Sequence, residues 1–266
     1  MGYFVGAGVS LALALVFFLV GGSKGRKAYD IASTETSSAA ELGELSRAVA
    51  AEIGAGAFNR PVELKGRAVA VEPLRAEYSG TDCVWYECVA TRLWEEEYWE
   101  EREGRRERRT RSGSDVVSRI RREPPFRIED ASGGVLLDPR GASVEAEKTF
   151  SRHEAGSRPG SLRVGSVSIE LGALAGLPGG RRATGYRFEE TCIPSGRELY
   201  VLGEASDSGG ALVVRKPEKG RFLVSVRSEE AILGSARKAA VGFRVAAAVG
   251  LVVGAALAIA GMVARR

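Results

Sequence analysis

Two long uncharged segments, one near each end, constrain this chain more than any other feature. Residues 2–22 and residues 245–264 contain no charged side chain. A helix rises about 1.5 Å per residue, so about 20 apolar residues cross a hydrocarbon core of about 30 Å. We therefore expect two transmembrane helices, residues 1–22 and residues 245–264, on either side of a soluble domain.

An alternative interpretation of the first segment is a cleaved signal peptide. No basic region precedes Tyr3, and no clear small-x-small cleavage site ends the segment at Val20–Gly22. A signal peptide normally has both features. We therefore favour a retained anchor and an integral, two-pass protein in contact with the lipid bilayer.

The second segment contains a GxxxG pair, Gly250 and Gly254, on one helix face. Such pairs allow helices to approach closely, although glycine is also common in transmembrane helices generally. Contact between the two helices of one chain, or self-association between chains through this pair, is a hypothesis.

Positive charges flank the two segments mainly on the side of the soluble domain. The opposite side carries the amino terminus, Arg265 and Arg266. The domain side carries Lys24, Arg26, Lys27, Arg237, Lys238 and Arg244. Under the positive-inside rule, this distribution predicts a cytoplasmic domain with both termini outside, although the second segment alone is nearly neutral on the point.

The composition is that of a globular domain with no signature of nucleic-acid binding. Charged residues make up 27% and hydrophobic residues 44% of the chain, and the net charge is +4. This excess is small and dispersed, so it is compatible with anionic lipid but does not indicate a nucleic-acid partner.

The three cysteines form an odd set, which disfavours a disulfide framework. Cys83 and Cys88 would point to opposite faces of one strand, so they are poor partners for each other. Either could meet Cys192, or all three could be reduced core residues, which we favour. His153, in a polar stretch that predicts a loop, is a weak partner for Cys–His catalysis because the cysteines lie in strand-like sequence.

No other motif indicates an enzyme. The glycine-rich stretch at residues 176–182 predicts a turn and lacks the Lys-Ser/Thr of a phosphate-binding loop. We expect no catalytic residue, no metal and no cofactor.

The soluble part divides by texture. Residues 23–61 predict a helical stalk or linker, with an amphipathic helix near residues 37–49 that places Leu42, Leu45 and Val49 on one face. Residues 62–232 predict a β-rich domain, and residues 233–244 a linker. We expect a mainly β domain between two transmembrane α-helices. This domain would be a sandwich or a small barrel, and we favour a partly open OB-like barrel.

Short β-rich runs separated by turn residues support this fold. Residues 126–130 and 135–138 predict a hairpin around the intervening Ala-Ser-Gly-Gly. Further strands are expected at residues 62–71, 84–94, 162–171, 198–205, 211–215 and 222–226.

The stretch from Glu95 to Arg111 is acidic before Gly104 and basic after it. If Gly104 marks a turn, Glu95, Glu97 and Glu101 would face arginines of the returning strand, and each pair would contribute about 0.2–1 kcal/mol. One interpretation of this stretch is a solvated hairpin whose charges neutralise each other. The other is a protruding surface that binds a partner protein or lipid headgroups, although the glutamates would disfavour anionic headgroups. Candidate binding residues are Trp94, Tyr98, Trp99, Arg105, Arg106, Arg108 and Arg109.

Five motifs in order resemble a known family. They begin with Glu-Leu-Lys-Gly-Arg-Ala-Val at residues 63–69, Ser-Gly-Thr-Asp-Cys-Val-Trp-Tyr at 79–86 and Pro-Phe-Arg-Ile-Glu-Asp at 125–130. Glu-Thr-Cys-Ile-Pro-Ser-Gly-Arg-Glu-Leu-Tyr-Val follows at 190–201 and Phe-Leu-Val-Ser-Val-Arg at 222–227. The chain thus resembles the GIDE or BAM ("beside a membrane") domain of MULAN/MAPL-type mitochondrial ubiquitin ligases and of many prokaryotic membrane proteins.

The resemblance implies structural roles for residues of the pattern. It implies turns at Gly80 and Gly203, packing by Trp85 and Tyr86, and hairpin roles for Asp130 and Asp138. Cys83 also belongs to this structural set.

The eukaryotic relatives perform ligation through a RING finger. A RING binds two zinc ions through eight Cys/His ligands, and even one structural zinc normally needs four. Because this sequence has three cysteines and one histidine, we expect a prokaryotic-type member without intrinsic RING chemistry. The expected function is a membrane-anchored protein-interaction or scaffold module. The alternative is a ligase-related or other enzyme acting with components supplied in trans.

Overall fold

A computed structural model describes residues 2–32, 36–102, 104–156, 161–170 and 181–263. The turn predicted at residues 176–182 lies almost entirely outside the described residues. The chain divides into a helical unit, residues 1–35 with 227–266, and a β unit, residues 36–226.

The helices are α1 (Gly2–Ala32), α2 (Ala39–Glu52) and α3 (Glu229–Val263). The strands are β1 (Asn59–Ala70), β2 (Leu74–Arg75), β3 (Asp82–Arg102), β4 (Arg105–Arg122), β5 (Phe126–Asp130), β6 (Gly133–Leu137), β7 (Ser143–Glu145), β8 (Glu147–Ala155), β9 (Ser161–Val164), β10 (Val167–Glu170), β11 (Arg181–Pro194), β12 (Glu198–Ser206), β13 (Val213–Arg215) and β14 (Leu223–Ser225).

The helical unit consists of α1 and α3 packed against each other. Each helix contains an 18-residue window with a mean hydropathy of 2.3, so both are long and apolar enough to cross a membrane. These two helices at the chain termini fit a two-pass membrane protein. Helix α3 begins at Glu229 and continues through residues 233–244, so the predicted linker is helical there, because this stretch is rich in alanine and contains no proline.

The GxxxG face of α3 lies against α1 of the same chain. A Cβ atom on Gly250 would lie 3.1 Å from the Cβ of Ala14, and one on Gly254 would lie 3.1 Å from the Cγ of Leu11. The ring centroids of Phe17 and Phe243 are 6.1 Å apart in the same interface. The two glycines therefore let the helices approach within one chain.

The β unit contains a closed five-stranded barrel. Its order is β1–β5–β6–β13–β12, and β12 pairs with β1 to close the ring. Strands β6 and β13 are parallel, and the other neighbours are antiparallel. The OB-like expectation is confirmed, but the ring is closed rather than partly open, because nine residues of β1 are in register with β12.

Helix α2 covers part of the barrel core. Ser38 and Glu41 form a capping box that satisfies backbone N–H groups at its start. Leu42 is fully buried, and Leu45 and Val49 pack against the same core, as the periodicity predicts. The backbone N–H of Ala39 also donates to the Asp130 carboxylate at 2.8 Å.

A second sheet is built from long insertions between barrel strands. Its order is β2–β3–β11–β8. Strand β4 also pairs with β3, on the edge that does not pair with β11. Because successive side chains of a strand point to opposite faces, Trp85 enters the barrel core while Tyr86 enters the core of the second sheet. Strand β3 thereby contributes to both cores.

Two local expectations are wrong. Residues 151–155 lie in β8 rather than a loop, because this polar segment forms an edge strand on β11, with His153 opposite Arg187. Gly203 lies inside β12 rather than in a turn, where a Cβ atom would come within 3.0 Å of the Phe222 ring. Gly80 does lie in a turn, with φ of 71°.

Candidate functional site

Strands β3 and β4 form a hairpin that continues past the first described residue of β11. The described part of β11 reaches only to the pairing of Arg181 with Glu96, whereas β3 and β4 remain paired to Arg102 and Arg105. Gly104 lies at the tip with φ of 75°, a conformation that favours glycine. We call residues 97–110 the ribbon.

The base of the ribbon is held by the indole of Trp94. This side chain lies over Gly113, where an added Cβ would be 2.3 Å from Cζ2 of the ring. The Arg181 guanidinium covers the ring at 4.1 Å from its centroid, a cation–π contact. Among the predicted binding residues, Trp94 is therefore a packing residue of the ribbon base.

Opposite charges meet across the ribbon, as the sequence predicts. Arg108 pairs with Glu97, and Arg109 lies 3.4 Å from Glu100 and 3.0 Å from Glu107. Glu100 and Glu107 stand directly opposite each other, and Arg109 pairs with both of these carboxylates. Because these groups are exposed, each pair contributes only about 0.2–1 kcal/mol.

The other two predicted glutamates differ. Glu101 stands opposite Arg106, as expected. Glu95 instead stands opposite Ser112 and lies 3.9 Å from Arg182 of β11. The register of the hairpin pairs Glu96 with Arg111, so Glu95 lies one residue beyond the arginine-rich part of β4.

The ribbon exposes aromatic side chains on both faces. The side chain of Trp99 is 65% exposed and that of Tyr98 is 38% exposed. Successive residues of a strand alternate, so Trp99 shares its face with Arg108 and Arg106, whereas Tyr98 shares the other with Arg109 and Arg105. Tryptophan and arginine are both enriched at protein interfaces, so these faces have the composition of a binding surface.

A buried carboxylate organises the second sheet. Glu190 is fully buried and accepts hydrogen bonds from the backbone N–H of Tyr78 at 2.6 Å and from the Thr149 hydroxyl at 2.8 Å. The N–H of Ser79 and the thiol of Cys88 donate to it as well. Burial raises the pKa of Glu190, but these hydrogen bonds outweigh burial and lower the pKa below its usual value.

The three cysteines are free and buried, in line with reduced core residues. Burial and the contact with Glu190 raise the pKa of Cys88 to about 12. A hydrogen bond between Cys83 and Cys192, together with burial, raises the pKa of Cys83. His153 is exposed on β8, so the structure does not bring a histidine and a reactive thiolate together.

The described residues contain no group of three or more His, Cys, Asp or Glu side chains placed to hold a metal ion. Asp138 instead pairs with Arg140, whose hydrogen bond lowers the pKa of the carboxyl. Burial raises the pKa of Asp130, but hydrogen bonds from Ser132, Ala39 and Gly133 outweigh it and lower the pKa. Both aspartates therefore organise loops next to the β5–β6 hairpin.

The role of Glu190 was not predicted from the sequence. The signal was present, because Tyr186, Phe188, Glu190 and Cys192 occupy alternate positions of one strand. Period-two alternation places a carboxylate between inward-facing apolar side chains, where it must be hydrogen-bonded.

Comparison with known proteins identifies one family that covers more than half of the chain. The model of the GIDE family, described as E3 ubiquitin ligase, matches residues 95–260. No curated protein and no solved structure matches the chain.

Proposed function

Because the chain belongs to the GIDE family, we propose that it is a membrane-anchored interaction module that binds a partner protein through the ribbon. The observation that carries this proposal is the exposure of Trp99 on a projecting, arginine-rich hairpin. A two-stranded ribbon is marginally stable by itself in water. The extension of this hairpin therefore adds little to the stability of the fold. An extension of this kind that exposes an aromatic side chain is expected of a binding element.

We place the β unit in the cytoplasm. The basic residues flanking the two candidate spans are concentrated on the side of this unit, and positive charge is enriched in cytoplasmic loops. The partner would then be a cytosolic or membrane-associated protein. A cysteine introduced at Ser157, in a cysteine-free background, would react with a membrane-impermeant maleimide only after lysis, whereas labelling of intact cells would reverse this assignment.

A second function is favoured by the family description as E3 ubiquitin ligase. In that case the chain would act on a ubiquitin-like system with zinc-binding components supplied by another protein. A transfer activity that requires both this chain and a separate zinc-binding protein would favour this enzyme over the interaction module.

The interaction module is tested by shortening the ribbon without disturbing its base. Residues 97–110 are replaced by Asn-Gly, a two-residue turn that joins the directly opposed Glu96 and Arg111. The full chain is purified from native membranes after mild chemical cross-linking, and the attached proteins are identified. We expect specific partners of the wild type to be lost while the thermal unfolding of the remaining domain is retained.

A matched control carries Arg152→Gln, Arg163→Gln and Arg187→Gln, three exposed arginines outside the ribbon. This control should keep the partners. Retention of the same partners by the shortened chain would refute the role of the ribbon.

A further inference from the structure

The two strands of the hairpin have opposite charge. From Arg105 to Val116, β4 carries five arginines against one glutamate and one aspartate, while the facing residues 91–102 of β3 carry five glutamates against two arginines. Arg111 and Arg106 stand opposite Glu96 and Glu101. On one edge, therefore, β4 already holds an acidic strand.

The opposite edge of β4 is open in the described part of the chain. Among the described strands, β4 pairs only with β3, and residues 105–112 are all exposed. A register shift between Ala90 and Thr91 leaves Val117 as an extra residue, so the regular edge ends at Val116. Such an edge presents a row of unpaired backbone N–H and C=O groups.

The arginines of β4 have donors to spare. A guanidinium has five N–H donors. The ion pairs among the described residues of the ribbon involve Arg108 and Arg109 but not Arg105, and Arg106 faces Glu101 without forming such a pair. A strand added to this edge would lie about 4.8 Å from β4, which brings its side chains beside the same arginines that face the glutamates of β3.

We propose that the open edge of β4, from Arg105 to Val116, binds an extended acidic peptide segment of a partner protein by strand addition. This inference rests on the proposed function and specifies its partner. The backbone ladder would supply affinity and the arginines would select glutamate or aspartate. A second copy of β4 is a poor occupant because its arginines would meet like charges, and a lipid headgroup cannot satisfy an alternating row of N–H and C=O groups.

The test measures peptide binding to the full-length protein in a neutral detergent by fluorescence anisotropy. The probe is a labelled ten-residue peptide of alternating threonine and glutamate. The first control alternates proline and glutamate, which keeps length and charge but removes every second N–H donor. The second alternates threonine and lysine. We expect saturable binding of the first peptide, and at least about tenfold weaker binding of both controls.

Protein variants locate the site. Arg105→Gln, Arg106→Gln and Arg108→Gln together should weaken binding of the threonine–glutamate peptide at least about tenfold. The matched variant with Arg152→Gln, Arg163→Gln and Arg187→Gln should bind within about twofold of the wild type. Because exposed side chains are changed, both proteins should unfold at the wild-type temperature.

Three outcomes overturn the inference. Equal binding of the proline-containing peptide would reduce the interaction to charge alone. Equal weakening by the matched variant would mean that the site is not on β4. If neither acidic peptide binds while the ribbon still captures a partner in membranes, strand addition fails and the proposed function stands.

Discussion

The indole of Trp94 occupies the space that a side chain at Gly113 would need, since an added Cβ would lie 2.3 Å from Cζ2 of the ring. This contact joins β3 to β4 where the ribbon leaves the sheet. The integrity of the ribbon therefore depends on a glycine outside it.

Gly113→Val should displace the Trp94 ring from its place beneath Arg181 and loosen the ribbon. We expect a destabilisation of about 1–3 kcal/mol, the usual effect of overpacking, and faster tryptic cleavage at the arginines of β4 because the ribbon opens more often. Ser114→Val, at an exposed position of the same strand, is the control. Unchanged cleavage in Gly113→Val would contradict the role assigned to this contact.

Glu190→Gln should destabilise the full-length protein by about 1–3 kcal/mol at neutral pH, because an amide NH2 would face groups that donate to the carboxylate. Urea unfolding in detergent measures this loss, and the control is Glu189→Gln, at a half-buried neighbouring position whose carboxylate pairs only with the exposed side chain of Lys148 in the described part of the chain. A difference between the two variants of less than about 0.5 kcal/mol would contradict the account.

The same carboxylate predicts a pH dependence. The pKa of Glu190 is lower in the folded protein than its usual value of 4.5. Its contribution to stability is therefore complete above pH 4.5 and is lost as the pH falls through the folded-state pKa. The stability gap between wild type and Glu190→Gln should narrow below pH 4.5, and a gap that widens on acidification would have the wrong sign.

Gly66→Ala should weaken the contact between the neighbouring barrel strands β1 and β5. A Cβ atom at this position would lie 2.6 Å from the carbonyl oxygen of Glu129, so the strands must separate locally, at a cost of about 1–3 kcal/mol. Arg67→Ala on the same strand removes an exposed side chain and should change the unfolding free energy by less than about 0.5 kcal/mol. Equal stability of the two variants would argue against this close approach.

Gly254→Leu should separate α1 from α3, because the Cγ of Leu11 lies only 3.1 Å from an added Cβ. The reporter is a disulfide between cysteines introduced at Gly6 and Leu257, because a Cβ atom on Gly6 would lie 3.4 Å from the Cδ1 of Leu257. Oxidation in membranes should form this bond less efficiently in Gly254→Leu than in Gly242→Leu, where an added Cβ meets nothing within 4 Å. Equal yields would show that the glycine is not needed for packing.

Local patterns in the sequence predicted local structure well. Alternation and turn residues located the β5–β6 hairpin, and the charge change around Gly104 located the ribbon. Period 3.6 placed Leu42 on the buried face of α2. These features depend on neighbours in sequence, so a short window contains the information.

Features that join distant segments escaped prediction. The barrel closes because β1 pairs with β12, more than 130 residues away, and no window of the sequence contains that pairing. Gly203 is explained by the ring of Phe222, which lies just before β14 and is distant from Gly203 in the sequence. Likewise, the polar residues around His153 form a strand only because β11 offers an edge.

The most direct test of the account is photo-cross-linking in cells with benzoylphenylalanine in place of Trp99. The same photo-reactive residue at Val71, a position outside the ribbon that is 55% exposed, is the control. We expect a discrete protein adduct at residue 99 that is absent at residue 71 and is lost when Arg105, Arg106 and Arg108 are changed to glutamine. The same adducts at both positions, or none at residue 99, would contradict the claim that the ribbon is the binding surface.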